Sequence, residues 1–284
     1  MSDAVLPALG AALAWGISDF SGGVQSRKSS VLSVAAWSRI AGALAIIVYA
    51  ASRGSAIGPV SAILWGALSG LFGALGLLLF YRGLVAGLMS VVAPISACAA
   101  IIPVVVSVAR GTHLGALQAL AIAGAVCGII LISLSRTRSP LPRGHLSRSV
   151  LYAIGSACGF GLLYVFIDVG TSSPGGHVVA VVVASRITSG LTLATAAGWS
   201  GRLWPPPRQL TAVALLGLLD TAANGLFAYG TTVGTLAVVA VLASLYPVVT
   251  VLLARLVLGE RLAPAQNAGA ALAIAAAAVL AGTR

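Results

Sequence analysis

Charged residues are scarce for a chain of this length. Of 284 residues, 7% are charged, and only five are acidic against sixteen basic. Soluble domains carry roughly a quarter charged residues, because these side chains cover the surface that water contacts. The shortage argues against a water-soluble enzyme. Together with a hydrophobic share of 59%, it predicts an integral, multi-pass membrane protein.

Cysteine and histidine are also rare. The three cysteines all lie inside long apolar runs, and the three histidines lie in three separate polar breaks: Cys98, Cys127, Cys158, His113, His145 and His177. An odd number of cysteines in apolar surroundings is typical of packing residues rather than of a disulfide framework. The histidines have no metal-ligand spacing. We therefore predict no metal site and no cofactor.

Motifs for energy coupling and for hydrolysis are missing from the sequence. No GxxxxGK[ST] loop occurs, so nothing in the chain indicates direct coupling to ATP. No HExxH motif and no serine–histidine constellation lies inside the apolar runs. The sequence therefore predicts that the protein is not an enzyme.

The net charge of +11 does not indicate a nucleic-acid partner, because most basic residues occur singly in short polar breaks. The one cluster, SRTRSPLPRGHLSR, contains two prolines and no apolar periodicity. Beside a membrane, such a cluster usually sets topology and contacts anionic lipid. We interpret residues 136–149 as a basic linker between a first unit, 1–135, and a second unit, 150–284.

Long apolar runs make up most of the chain. A helix needs about 20 apolar residues to cross about 30 Å of hydrocarbon. The runs are continuous rather than alternating, which favours helices over a membrane barrel. Ten runs have this character: 4–24, 31–51, 60–80, 86–108, 114–134, 150–169, 178–198, 209–229, 233–256 and 264–281. The predicted fold class is an all-α membrane protein with ten transmembrane helices.

Three landmarks recur about half a chain apart. Arg39 in WSRIAGAL recurs as Arg186 in ASRITSGL, 147 positions later. Tyr81 recurs as Tyr229, and GTHLGALQ recurs as GERLAPAQ, both 148 positions later. With five spans in each unit, an odd number, the second unit enters the membrane from the opposite face. The sequence therefore predicts two inverted five-helix repeats that hold a substrate near the midplane between them.

Several segments resemble a known family. SLYPVVTVLLARLVLGERLAPAQNAGAALAIAAAAVLA, residues 244–281, resembles the last two helices of an EamA-type domain of the drug/metabolite transporter superfamily. FYRGLVAGLMSVVAPISACAAIIPVVV at 80–106 and AALAWGISDFSGG at 11–23 are similar to parts of the first domain. The resemblance covers nearly the whole chain and implies a ten-helix carrier with two EamA repeats around a central cavity. It leaves the cargo open, since family members move amino acids, sugar derivatives, other metabolites or toxic compounds.

Ionisable side chains inside the apolar runs are the strongest sign of a site. An ion near the bilayer centre costs at least about 2.5–3.5 kcal/mol, so it usually faces the bundle interior and a partner. Asp19 and Arg39 lie at similar depths on neighbouring spans, and Asp168 and Arg186 repeat this geometry. We predict one acid–base pair across a helical hairpin in each half. Each pair is either a purely structural ion pair, or a functional site where an arginine holds an anionic group or an aspartate exchanges protons with the cargo.

A further acid, Asp220, lies in the eighth span, and no acid lies 148 positions before it. It shares a helix face with Asn224, so the two form a polar patch in a lipid-length segment. Such a patch serves either as a substrate or proton site or as hydrogen bonding for packing. Trp15, Tyr164 and Tyr246 complete the candidate substrate-binding or coupling residues as cavity aromatics.

The predicted function is secondary transport, without ATP, of a small metabolite by alternating access. The expected partners are a small-molecule substrate, the lipid bilayer and a proton or ion gradient, with the protein as a monomer or a homodimer in a bacterial-type cell membrane. A channel-like facilitator and a non-transporting membrane scaffold are the alternatives. The positive-inside rule places both termini outside the cell, whereas the family resemblance implies cytoplasmic termini, and both orientations stay open.

Overall fold

A computed structural model describes residues 2–55, 58–87, 89–134, 143–259 and 264–282. Across these ranges the regular secondary structure is helical, as the apolar runs predict. The α-helices in them are α1 (Ser2–Lys28), α2 (Val31–Ser52), α3 (Val60–Ala86), α4 (Met89–Ala97), α5 (Ile101–Ala109), α6 (Ala116–Leu134), α7 (Arg143–Ser172), α8 (Val178–Trp199), α9 (Leu210–Val233), α10 (Leu236–Ala243), α11 (Tyr246–Leu258) and α12 (Pro264–Gly282). The first half of the predicted linker, residues 136–142, lies outside the described ranges, and α7 begins where its second half begins, at Arg143.

Eight segments of the described chain are long and apolar enough to cross a membrane. Six of them correspond to α1, α2, α3, α7, α8 and α9. The other two are broken helices: Val91–Ala109 joins α4 to α5, and Leu236–Leu258 joins α10 to α11. At the remaining two predicted spans lie shorter apolar helices, Ala116–Leu131 and Pro264–Leu280. The all-helical membrane fold is confirmed, with eight full-length spans and two shorter apolar helices.

Prolines explain why two of the spans are broken. Proline lacks a backbone N–H and its ring clashes with the preceding helical turn, so it is tolerated best in the first turn of a helix. Pro103 lies in the first turn of α5, after a 3₁₀ turn at Cys98–Ala100. Pro247 lies in the first turn of α11. Each span therefore ends one helix and starts another in its interior.

The packing of the helices has two-fold symmetry. In the first half, α3 packs against α7 and α8; in the second half, α9 packs against α1 and α2. The counterparts are α1 and α7, α2 and α8, α3 and α9, and α6 and α12. Exchanging each helix for its counterpart converts the first set of contacts into the second, and the pairs α2–α8 and α6–α12 map onto themselves. Ala4 near the start of α1 lies against Gly234 just after α9, whereas it is the end of α7, at Thr171, that lies against the end of α9, so the equivalent helices α1 and α7 start from opposite faces. The halves are therefore inverted repeats.

Close contacts of glycines fix the register between the halves. Gly70 on α3 packs against the backbone carbonyl of Ser185, and Gly217 on α9 packs against that of Ser38. The two glycines are 147 positions apart in the sequence, and so are the two serines. The offset found for the two arginines therefore holds for α2 with α8 and for α3 with α9.

The first helix of each half follows a different offset. Gly16 on α1 lies against the carbonyl of Tyr246, and Gly161 on α7 lies against the carbonyl of Ala99. The carbonyls again differ by 147 positions, but the glycines differ by 145. Equivalent residues of α1 and α7 are thus 145 positions apart, because the connections within the two halves differ in length.

This register corrects one of the sequence landmarks. Tyr81 is buried, at 1% exposure, whereas Tyr229 is 50% exposed. At the offset of 147, the counterpart of Tyr81 is Ala228, which is fully buried. The match between Tyr81 and Tyr229 was therefore wrong, since one tyrosine points into the core and the other points away from it.

Contacts between helix ends assign them to two faces of the membrane. Gly234, just after α9, lies against Ala4 near the start of α1, and this side is called the first face. The ends of α2, α5 and α7 also lie on the first face. On the second face, Arg27 near the end of α1 donates to the carbonyl of Leu84 near the end of α3. The ends of α8 and α11 belong to this second face.

The contact between α9 and α2 depends on the absence of a side chain at Gly217. A Cβ there would overlap the Ser38 carbonyl, which belongs to the backbone and can move only with α2. Overpacking of this kind usually costs about 1–3 kcal/mol. We therefore expect Gly217→Ala to lower the unfolding temperature of the purified protein in detergent. Gly225→Ala is the matched control, since a Cβ at Gly225 on the same helix meets open space; equal unfolding temperatures for the two variants would contradict the predicted packing.

Candidate functional site

One acid and two bases are buried together where α2, α8 and α9 meet. The Asp220 carboxylate accepts hydrogen bonds through Oδ2 from Nη1 of Arg39 and from Nη1 of Arg186. Arg186 also donates from Nη2 to the backbone oxygen of Asp220 at 2.9 Å. These residues, called here the Arg–Asp–Arg triad, are each at most 8% exposed. The triad carries a formal charge of one positive unit, since one carboxylate serves two guanidinium groups.

The acid–base pairs predicted from the sequence are wrong. Arg39 is paired with Asp220 rather than with Asp19, and Arg186 is paired with Asp220 rather than with Asp168. The prediction assumed that each hairpin closes on itself, but α2 packs mainly on α8 and α9. Because α2 and α8 meet at the two-fold axis, their arginines come together there, and one acid on α9 reaches both.

The acid of the triad breaks the symmetry that the arginines obey. The counterpart of Asp220, 147 positions earlier, is Gly73 on α3, which packs against the side chain of Leu163. In the same way, the counterpart of Asn224 is Leu77. The second half therefore supplies a polar patch at a place where the first half supplies apolar packing.

Asp168 lies away from the triad, near the end of α7 on the first face. Its Oδ2 accepts a hydrogen bond from Nη1 of Arg110 at 2.8 Å. Arg110 follows α5, and its side chain is 46% exposed. This ion pair therefore links two helix ends at the membrane surface rather than two helix centres.

A small closed cavity adjoins the triad between the two halves. Its volume, measured as the space open to the centre of a water molecule, is about 20 Å³. That is room for about one water and is far too little for a metabolite. The residues that line it are Trp15, Asp19, Arg39, Leu77, Phe160, Leu163, Tyr164, Asp220, Asn224 and Tyr246.

Seven of the nine candidate site residues from the sequence line this cavity. Arg186 does not line the cavity but contacts the lining residue Asp220. Asp168 neither lines the cavity nor belongs to the triad. Leu77, Phe160 and Leu163 also line the cavity and were not predicted, because an apolar side chain in an apolar span does not stand out from its neighbours. The repeat carried a usable signal for one of them, since Phe160 is the counterpart of Trp15 at the offset of 145.

Aromatic rings form one side of the cavity. Tyr164 and Phe227 stack with their ring centroids 4.7 Å apart. Trp15 packs on both, at 5.4 Å from Tyr164 and 5.8 Å from Phe227. These three rings come from α1, α7 and α9, so both halves of the protein build the aromatic surface.

Four polar groups of the cavity have no partner within the described ranges, and the first is the Nε of Arg39. Asp19 is 5% exposed, and its carboxylate makes no hydrogen bond or ion pair there; the charges that act on it are those of Asp220 and Arg39. Asn224 donates from Nδ2 to the backbone oxygen of Asp220 at 2.8 Å, but its Oδ1 is buried without a donor. The Tyr246 hydroxyl is likewise buried without a partner. A buried polar group without a partner costs free energy, so these atoms mark a place where a ligand can bind.

The cavity is closed toward the first face by two polar contacts. The first is the ion pair of Arg110 with Asp168, between the ends of α5 and α7. The second joins the hydroxyl oxygens of Thr171 on α7 and Thr231 on α9, which lie 3.2 Å apart. The first contact joins the two halves, and the second joins two helix ends of the second half.

Other polar contacts close the second face. Arg27 donates to the carbonyls of Leu84 and Gly87, at 3.1 and 3.2 Å from its Nη2. Ser29 donates to Oε1 of Gln209 at 2.7 Å. Polar contacts therefore hold helix ends together on both faces, and every residue that lines the cavity is buried.

A family model for the EamA-like transporter family matches residues 3–134 and 147–282. The chain belongs to the EamA-like transporter family. The two matched stretches are the two repeats of this EamA-like transporter, and they confirm the resemblance seen in the sequence. Family membership and the apolar helices make it an integral, multi-pass membrane protein of the drug/metabolite transporter type.

The fold of this EamA-like transporter is also found in a solved structure, described only as the crystal structure of a protein. The two chains are 19% identical, with a TM-score of 0.76, and the match covers 98% of this chain and 96% of that one. At this identity the likeness shows the fold alone. A comparison with curated proteins finds none that matches the sequence.

Proposed function

We propose that this EamA-like transporter is a secondary carrier that moves a small metabolite across a bacterial-type cell membrane by alternating access. One observation carries the proposal: a closed cavity with ionisable side chains lies between two inverted repeats. Inverted repeats supply two equivalent conformations that open toward opposite faces. Buried ionisable groups in a membrane protein usually mark the path of a substrate or ion.

The small size of the cavity supports a mechanism in which the protein opens on one side at a time. A volume of about 20 Å³ holds no metabolite, so binding requires the helices to part. Each face is closed by a few polar contacts, such as Arg110 with Asp168 on the first face and Ser29 with Gln209 on the second. Breaking one set while the other stays intact would open the cavity to one side only.

Asp19 is the acid best placed to couple transport to a proton gradient. Asp220 is held by two arginines, and Asp168 lies outside the cavity. Asp19 lines the cavity without a hydrogen-bond or ion-pair partner in the described ranges, so it can take up a proton or a cation without breaking an ion pair. The sequence offers three aspartates as candidates for proton exchange, and we propose that Asp19 is the one that acts.

The test begins with a thermal-shift screen of the purified protein against amino acids, sugar phosphates, nucleotides and amines, because a ligand stabilises the folded state by mass action. The compound with the largest shift is then used in proteoliposomes. For one proton exchanged per cargo, one pH unit should drive about tenfold accumulation. We expect Asp19→Asn to abolish this accumulation and Asp3→Asn, near the start of α1, to retain it.

A carrier and a channel-like facilitator differ in counterflow. With unlabelled compound inside the vesicles, a carrier shows saturable, accelerated uptake of labelled compound, and a channel does not. Uptake without counterflow would replace the carrier by the channel-like alternative. If no tested compound moves in either assay, the scaffold alternative would stand instead.

A further inference from the structure

The unpartnered groups that α1 and α9 bring to the cavity are hydrogen-bond acceptors, whereas the unpartnered Nε of Arg39 on α2 belongs to the triad. The acceptors are the carboxylate oxygens of Asp19 on α1 and Oδ1 of Asn224 on α9, and neither has a donor within the described ranges. Both residues line the same cavity. A ligand that brings several N–H donors would satisfy them, and an ammonium group has three such donors and no acceptor.

The charges in the cavity also favour a cation at this place. The Asp220 carboxylate already accepts hydrogen bonds from both Arg39 and Arg186, so its negative charge is more than compensated within the triad. Asp19 is the one cavity acid that no arginine contacts among the described residues. The triad is positive by one unit, so the empty cavity carries one positive unit when Asp19 is protonated and is neutral when Asp19 is ionised. A proton and an organic ammonium ion add the same charge at Asp19, and exchange of one for the other leaves the cavity charge unchanged.

The opposite side of the cavity is apolar and suits a hydrophobic body. It is built by Leu77 on α3 and by Phe160 and Leu163 on α7, and α3 packs directly against α7. The rings of Trp15 and Tyr164 lie beside it, 5.4 Å apart. Aromatic faces attract a cation electrostatically, and apolar surface gains free energy when a hydrophobic group covers it.

The two sides of the cavity are symmetry counterparts with different chemistry. At an offset of 145, Asp19 corresponds to Tyr164; at an offset of 147, Asn224 corresponds to Leu77. The two-fold axis therefore relates the polar wall, formed by α1 and α9, to the apolar wall, formed by α3 and α7. A cation consequently finds one binding position, and an amphipathic ligand can bind in one orientation only.

From these contacts we infer that the cargo is an amphipathic amine, with its ammonium group bound by Asp19 and Asn224 and its hydrophobic body against Leu77, Phe160 and Leu163. The inference rests on the proposed carrier function, because it names the cargo class of the same cavity. It assigns the two walls different tasks: the polar wall binds the head group and the apolar wall binds the body.

The test compares three probes that share a phenyl ring and differ in charge: phenethylamine is a cation, hydrocinnamate is an anion and phenylalanine is a zwitterion. Binding to the purified wild-type protein is measured by calorimetry at neutral pH. We expect the Kd of phenethylamine to be at least about tenfold lower than that of hydrocinnamate, which has no ammonium group to donate to Asp19. Phenylalanine should also bind at least about tenfold more weakly, because its carboxylate would lie beside that of Asp19. Binding should release a proton, detected by repeating the calorimetry in buffers of different ionisation enthalpy.

Variants of the polar wall locate the ammonium group. Asp19→Asn should weaken phenethylamine binding at least about tenfold, and Asp19→Glu should retain most of the binding because it keeps the carboxylate. Asp3→Asn should bind as the wild type does. Size-exclusion profiles and unfolding temperatures check that each variant is folded. The proton released by the wild type on binding remains an independent measurement if Asp19→Asn fails to fold.

Two kinds of failure can be told apart. Preferred binding of hydrocinnamate or phenylalanine, or binding of none of the three probes, would overturn the amine inference, while counterflow of another compound would still support a carrier. Phenethylamine binding that depends on Asp19, without counterflow in proteoliposomes, would support the binding site and overturn the carrier function.

Discussion

Asp220→Asn is expected to destabilise the protein by about 3–5 kcal/mol, because it leaves two buried guanidinium groups without a counter-charge. Arg39 and Arg186 side chains are only 4% and 2% exposed, so water cannot take over the role of the carboxylate. The asparagine can still accept hydrogen bonds, but it carries no charge. The measurement is the free energy of unfolding of the purified protein in mixed detergent micelles, with Asp3→Asn as the control.

A second set of variants separates the structural role of the triad from a role in transport. Replacing a whole buried ion cluster by apolar side chains of similar volume is often neutral or even stabilising. The triple variant Arg39→Met, Arg186→Met, Asp220→Leu should therefore recover most of the stability that Asp220→Asn loses. We expect it to remain inactive in proteoliposomes, since Arg39 and Asp220 line the cavity. A stable triple variant that transports at the wild-type rate would show that the triad is only a structural ion cluster. An Asp220→Asn protein as stable as the wild type would show that the two arginines do not need the charge of Asp220.

The fold followed from composition because a membrane allows few alternatives. Each apolar run must satisfy its own backbone hydrogen bonds in hydrocarbon, so its length and continuity predict a helix. The predicted spans 86–108 and 233–256 are the two that the structure breaks near prolines. Periodicity cannot place such a break, because both helix fragments are equally apolar.

The residues of the site were easier to predict than their partners. Asp19, Arg39 and Asp220 stood out because each is costly in lipid and so must face the interior. Their pairing depends on which helices meet at the two-fold axis, and α2 meets α8, whose arginine is 147 residues away. Neighbouring spans in the sequence gave no information about that contact.

The sequence also left undecided which residues of the two repeats are equivalent. Asp168 looked like the counterpart of Asp19, because each lies near the end of the first span of its half. Contacts of Gly16 and Gly161 instead set an offset of 145 for these helices, which makes Tyr164 the counterpart of Asp19. A difference of a few residues in helix connections moves such a match by one helical turn, and only the packing reveals it.

A disulfide across the first face is expected to stop transport completely and reversibly. The hydroxyl oxygens of Thr171 and Thr231 lie 3.2 Å apart at the ends of α7 and α9, which places the two side chains within reach of a disulfide. The double variant Thr171→Cys, Thr231→Cys would tie these ends together. The native cysteines, Cys98, Cys127 and Cys158, are unpaired and are first replaced by serine. If the first face must open in every transport cycle, oxidation should reduce counterflow to the level of vesicles without protein.

Reduction supplies the internal control for this experiment. Adding a thiol reductant to the same vesicles should restore counterflow, and each single cysteine variant should transport equally well with and without oxidant. Because the cross-link fixes α7 to α9 without changing any residue that lines the cavity, binding of the ligand in detergent need not disappear when transport does. Full counterflow in vesicles whose cross-link is verified by mass spectrometry would show that α7 and α9 stay together throughout the cycle, and the first face would then have to open between other helices.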